Sequence, residues 1–152
     1  IDPKDYGLPL LDKMYKEFDT PPDDLQCLHD IFDDADGFLI VTGEYNHSIP
    51  PALTNLLNHF MSEYFFKPSA IASYSAGTYG GVRAAIQMRI LASELGMPSI
   101  SSLLAVPEVQ KNFSDDGTPV NDRFDTRVTR FLDEFDWYID ALKEKRKQGT
   151  PF

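Results

Sequence analysis

Residues 37–81 constrain this chain more than any other stretch. Two short apolar runs there each lead into a glycine-bearing loop and then into a segment of helical periodicity, GFLIVTGEYNHSIPPALTNLLNHF and KPSAIASYSAGTYGGVRAAIQMR. Phe38, Leu39, Ile40 and Val41 form an unbroken apolar run, the pattern of a strand covered on both faces in a parallel sheet. The alternation of strand and helix predicts an α/β fold, a parallel sheet with helices on both faces. Such sheets bind ligands at the carboxyl ends of their strands. The residues at those ends are Gly43, Glu44, Tyr45 and Asn46 after the first run and Tyr74, Ser75, Ala76 and Gly77 after the second, with Gly80 and Gly81 leading into the next helix.

Several chemistries lack support. His29, His47 and His59 have no metal-site spacing, and Cys27 has no CxxC partner. Ser75 does not sit in a GxSxG elbow, and GTYGG departs from the GxGxxG dinucleotide fingerprint. A single cysteine forms no internal disulfide, which fits a reducing compartment. With no apolar run long enough to span a bilayer, the expected address is cytoplasmic. The formal charge of −10 is concentrated in residues 1–36, with eleven acids against three bases. Such a surface repels phosphate backbones and argues against nucleic acid as a partner.

GEYNHSIP before an amphipathic helix, with SAGTYGG-RAA about thirty residues on, resembles the NADPH-dependent FMN reductase family, the flavodoxin-like quinone and azo reductases. The resemblance extends to Lys147. Family members usually have Pro at the position of Gly43. It implies a flavodoxin-like sheet binding FMN, with NADPH or NADH as co-substrate and a quinone or similar small molecule as acceptor. Glu44, Tyr45 and Asn46 match the residues lining the isoalloxazine, and Tyr74, Ser75 and Gly77 match the second flavin loop. Glycines at 43, 77, 80 and 81 let backbone amides approach a flat ring and stabilise charge on its edge. The plainer alternatives are that Gly80 and Gly81 only turn a strand into a helix, that Tyr45 is a partly buried aromatic and that Asn46 is a turn residue. Arg83, in the first helical turn, is expected to pair with an acid or an interface carbonyl.

The resemblance also implies a preceding strand and a phosphate-binding loop, which nothing before Gly37 matches. The chain then reads as one flavodoxin-like domain, residues 1–152, N-terminally incomplete, either as a fragment of a longer protein or as a shortened relative. Without that strand, residues 38–42 are expected to form a sheet edge covered by a partner chain, further residues or swapped structure. The rival to a reductase is a flavin-free scaffold or interaction protein that keeps the fold but has lost the phosphate site.

Other elements follow from periodicity. Thr20, Pro21 and Pro22 start a short helix with Leu25, Leu28 and Phe32 inward, and its Asp-rich end is a solvated face. Pro50 and Pro51 open a helix whose stripe of Leu53, Leu56, Leu57, Phe60, Met61 and Tyr64, widened by Phe65 and Phe66, holds more apolar surface than one sheet face needs. The resemblance implies a homodimer or homotetramer with residues 53–66 at its interface. A strand over residues 69–74 precedes a helix over 80–95 with Val82, Ala85, Ile86 and Ile90 inward. Residues 99–105 form the last strand, and Asp122 caps a long helix burying Phe124, Val128, Phe131, Phe135, Ile139 and Leu142.

Overall fold

The computed structural model describes residues 1–152. Two 3-10 turns (Pro3–Asp5 and Tyr15–Glu17) punctuate the proline-rich start and lead to α1 (Asp23–Asp34). β1 (Phe38–Gly43), α2 (Pro51–Asn58), β2 (Ser69–Tyr74), α3 (Val82–Glu94) and β3 (Ser99–Val106) follow, then the short α4 (Val109–Asn112) and the long α5 (Asp125–Arg146). The strands form one parallel sheet in the order β1-β2-β3, with Gly43 opposite Tyr74 and Tyr74 opposite Val106. No helix is long and apolar enough to cross a membrane.

Alternate side chains of each strand face opposite layers. On one face Ile40 and Ile71 meet Ala85, Met88 and Ala92 of α3, together with α1 and α2. On the other, Ala70 and Ile100 meet Phe131 and Phe135 of α5. α1 is anchored by Leu25, Leu28 and Phe32, all buried, each contributing about 1.5–3 kcal/mol of apolar transfer energy before entropy is subtracted. Its acidic C-terminus is offset by the buried Lys67, whose Nζ donates to the carbonyls of Phe32 and Asp33 at 2.7 Å. Burial pulls the Lys67 pKa below its ordinary value.

Several expectations are corrected. β1 is not covered on both faces: Leu39 and Val41 are exposed, Val41 by 61%, because α5 packs over β2 and β3 and meets the chain just ahead of β1, at Asp36 and Gly37. α2 ends at Asn58 rather than continuing through residue 66. Its end tightens into i to i−3 bonds from His59 to Leu56 and from Phe60 to Leu57, and Ser62–Tyr64 is a separate 3-10 turn. The surplus apolar surface has a core use, since Leu56, Leu57, Phe60 and Tyr64 pack with α1 while Tyr6, Leu8, Tyr15 and Phe18 of the N-terminal segment close over them.

The inward face of α3 is set by Ala84, Ala85, Met88 and Ala92, leaving Ile86 and Ile90 exposed, Ile90 by 67%. Alanines win that face because they let the helix axis approach the sheet closely. α5 begins at Asp125 with Phe124 at its N-cap. Asp122 contributes its carbonyl to the Asp125 amide rather than a side-chain cap.

Candidate functional site

The carboxyl ends of the three strands lie together. After β1 the chain makes a two-residue reversal in which the Tyr45 amide donates to the Ser48 carbonyl and the Ser48 amide returns the bond. Asn46 and His47 at its tip both have positive φ, 50° and 64°, the arrangement of a type I′ turn. Asn tolerates this region, whereas His is an unusual occupant, and strained backbone of this kind concentrates at functional sites. Glu108, just beyond β3, also has positive φ, at 46°.

After β2 the chain crosses residues 75–81 before entering α3. Gly80 and Gly81 have φ of 62° and 75°. A Cβ on Gly80 would lie 2.9 Å from the Pro107 nitrogen, and one on Gly81 only 2.7 Å from the Tyr74 carbonyl oxygen. Both glycines are therefore required by close backbone approach as well as by conformation. The loop is held by Ser73 Oγ donating to the Gly80 carbonyl at 2.8 Å, by the Ser75 amide to Val106 O, and by the amides of Glu108 and Val109 to the carbonyls of Gly77 and Ser75. The amides of residues 76–81 donate to no acceptor within the protein.

The two loops are joined through α3. Glu44 accepts from the Arg83 backbone amide at 3.1 Å and from its Nη1 at 3.2 Å, as the sequence reading of Arg83 expected. The guanidinium also lies 4.7 Å from the centre of the exposed Tyr79 ring. One turn further along, Gln87 donates to the His47 carbonyl and accepts from Ser48 Oγ, at 2.8 and 2.7 Å. Tyr74 lies across Gly43, ring atoms 3.4 Å from a Cβ built there, yet remains 43% exposed. Tyr45 is 63% exposed and Gly77 opens outward.

All ten residues singled out from the sequence thus sit at one end of the sheet, on two loops tied to one helix. The sequence reading missed Ser73, Gln87, Tyr79 and the stretch from Val106 to Val109. Gln87 was findable, lying four residues after Arg83 and hence on the same helical face. The third strand end was implied by the same rule that identified the first two.

This surface fits a flat, electron-rich group along one edge: fixed amide donors without protein acceptors, glycines that let a ring come close, and exposed tyrosines at the rim. The donor set at residues 76–81 is the observation on which that fit rests. Residues 1–37 contain 3-10 turns and α1 but no strand.

Comparison with known proteins agrees with this geometry. The profile of the NADPH-dependent FMN reductase family matches residues 1–111. A quinone reductase of Pseudomonas putida is 29% identical over 124 residues, covering 78% of this chain and 67% of its own length. A 2-hydroxy-1,4-benzoquinone reductase of a Burkholderia species is 30% identical over 148 residues, covering 92% and 77%. Among solved structures, the flavoenzyme NAD(P)H:(acceptor) oxidoreductase FerB of Paracoccus denitrificans superposes with a TM-score of 0.68 at 20% identity, covering 91% of this chain and 76% of that one. The last likeness establishes the fold, a flavodoxin-like parallel sheet. With the family profile spanning both strand-end loops, the chain belongs to the NADPH-dependent FMN reductase family, a family of flavin-dependent oxidoreductases.

Proposed function

We propose that these residues form the ring-binding part of an NAD(P)H-dependent FMN oxidoreductase that delivers reducing equivalents to a quinone or similar flat acceptor. The observation that carries the reading is the run of amides at residues 76–81 that donate to nothing in the protein, beside the strained turn at Asn46 and His47. Bound FMN supplies the hydride chemistry. The protein's part is to hold and orient. Amides fixed by the strand ends aim positive dipoles at one edge of the ring without reorganising. Glu44 grips both the backbone and the side chain of Arg83, keeping the two loops at constant separation. The exposed rings of Tyr45 and Tyr79 offer apolar faces against which a flat acceptor can lie. The two relatives named as quinone reductases support quinone as the acceptor class.

The test is a flavin titration of the purified chain followed by NADH and NADPH oxidation with 1,4-benzoquinone. Because the contacts lie at the ring edge, FMN and riboflavin are expected to bind with affinities within about threefold, under 1 kcal/mol apart. No change in flavin absorbance up to about 1 mM, or about 4 kcal/mol of binding, defeats the reading.

Self-association as a homodimer or homotetramer belongs to the same proposal. With Leu56, Leu57, Phe60 and Tyr64 used by the core, the exposed Ile86 and Ile90 of α3 give the stronger support for a contact between copies.

A further inference from the structure

β3 does not run in simple register with β2. Ser69 pairs with Ser99, but Ile71 pairs with Leu103, so two positions on β2 are matched by four on β3. The two additional residues make a bulge. Because their number is even, alternation survives: Leu103 still packs toward the α3 layer while Ile100 and Leu104 still pack toward α5. A bulge removes backbone groups from the ladder, and each must find another partner.

Here the partners are two charged side chains from opposite faces of the sheet. From α3, Arg89 Nη2 donates to the carbonyls of Ile100 and Ser101, both at 3.0 Å. From α5, Glu134 Oε1 accepts from the amides of Ser101 at 2.9 Å and Ser102 at 3.3 Å, and its Oε2 accepts from Ser102 Oγ. Nothing in the candidate site touches either residue. Their effect reaches it along the strand. Downstream of the bulge, Val106 accepts from the Ser75 amide, Glu108 donates to Gly77 and Val109 to Ser75. Gln110 Nε2 donates to the Ala76 carbonyl at 3.2 Å. Gly80 fits against Val106 and Pro107 with no room for a side chain.

We propose that Arg89 and Glu134 are positioning residues for the candidate site: by clamping the β3 bulge from both faces of the sheet, they hold the register that brings residues 106–110 under the loop at 75–81. A strand slipped by one residue would exchange the two faces and withdraw the acceptor for Ser75. Two loosened residues at the bulge would let the strand end float against the loop. The clamp itself is independent of any ligand, whereas its consequence for flavin rests on the function proposed above.

The test separates the two. Hydrogen exchange, resolved at the amides of Ser75, Glu108 and Val109, is measured on the flavin-free full chain for Glu134→Ala, Glu134→Gln, Arg89→Ala and Arg89→Lys. Phe135→Leu serves as a control that loosens α5 while leaving the clamp in place. In the alanine variants the three amides are expected to exchange about tenfold faster, the equivalent of one charge-assisted hydrogen bond, with amides of α1 unchanged. The Gln and Lys variants, which keep a hydrogen-bonding group at the bulge but lose the carboxylate's second acceptor or the guanidinium fork, should recover only part of the protection. Should an alanine variant fail to fold, intermediate exchange in Gln or Lys with α1 unchanged supports the clamp, and wild-type exchange at the three amides overturns it. Loss of protection no greater than in Phe135→Leu also overturns it. FMN affinity is then read by fluorescence quenching. Affinity that falls in step with loop protection supports the proposal, and affinity unaltered despite a loosened loop overturns the link to the site. Loosened loops in a protein that binds no FMN in any form leave the clamp standing and remove the flavin reading.

Discussion

Gly81 illustrates what a single residue decides. At φ 75° and with the Tyr74 carbonyl 2.7 Å from where a Cβ would lie, it admits no other side chain without backbone movement. Gly81→Ala is expected to lower stability by about 1–3 kcal/mol through left-handed strain and the steric contact together. Gly77 has no such φ and nothing closer than Ser75 Oγ at 4.0 Å, so Gly77→Ala should cost less than about 0.5 kcal/mol. Urea unfolding of the two variants checks the difference, and equal losses would refute the account. From sequence, Gly80 and Gly81 were readable either as a strand-to-helix turn or as a place where amides approach a ligand. The structure shows the turn, which closes on Val106 and Pro107, and beside it the amides of residues 76–81 without acceptors in the protein; the approach of a ring to those amides belongs to the function proposed above. Tyr45 proves exposed rather than partly buried, and Asn46 is indeed a turn residue, at the tip of the reversal.

At the scale of elements, hydrophobic pattern located every strand and the longer helices, but assigned some of their faces wrongly. Ile86 and Ile90 are more apolar than Ala84, Ala85 and Ala92, so pattern favours them for the core. Close approach of α3 to the sheet favours the alanines instead, and only the packed layers reveal that the second effect wins. In α2 the same pattern merged a helix, a turn and a 3-10 segment, since Phe60 and Tyr64 are equally buried by any backbone that returns them to α1. The exposed face of α3 yields a prediction of its own. Ile90→Glu changes a largely exposed position, so unfolding of the single chain should shift by no more than about 0.5 kcal/mol. Sedimentation velocity should nevertheless show the variant as a monomer at concentrations where the unaltered chain associates. Persistence of the same oligomer, or a monomeric unaltered chain, rules out this contact.

Across the whole molecule, acidic groups dominate the charge, yet several of them stabilise the fold. Asp36 is held below its ordinary pKa chiefly by the Lys143 ammonium, with Arg146 adding to the effect. Glu134 is lowered by the Ser102 hydroxyl and neighbouring amides. Asp116 is lowered to about 2 by the Ser114 hydroxyl and the Thr118 amide. Burial pushes Glu63 up, but its backbone bonds and His29, 2.8 Å away, bring it below the usual carboxylate value. A carboxylate whose folded pKa is depressed stabilises the fold above its unfolded pKa, about 4, and that contribution is lost as pH falls through the folded value. The urea midpoint should therefore decline as pH drops from about 5 to about 2, and Glu63→Gln should flatten the slope. Protonation also relieves repulsion within a chain of net charge −10; a midpoint that rises over this window would show that repulsion outweighs the local bonds.

The sequence alone determined the alternation of strand and helix, and it placed the ten residues proposed for flavin together at one end of the sheet, because that placement follows from local periodicity and from glycines at the strand ends. It could not determine which side of α3 faces inward, how far α5 covers β1, or that the β3 register is set by Arg89 and Glu134. Those depend on how closely layers approach and on which distant group satisfies a displaced carbonyl or amide, quantities that exist only once the chain has packed.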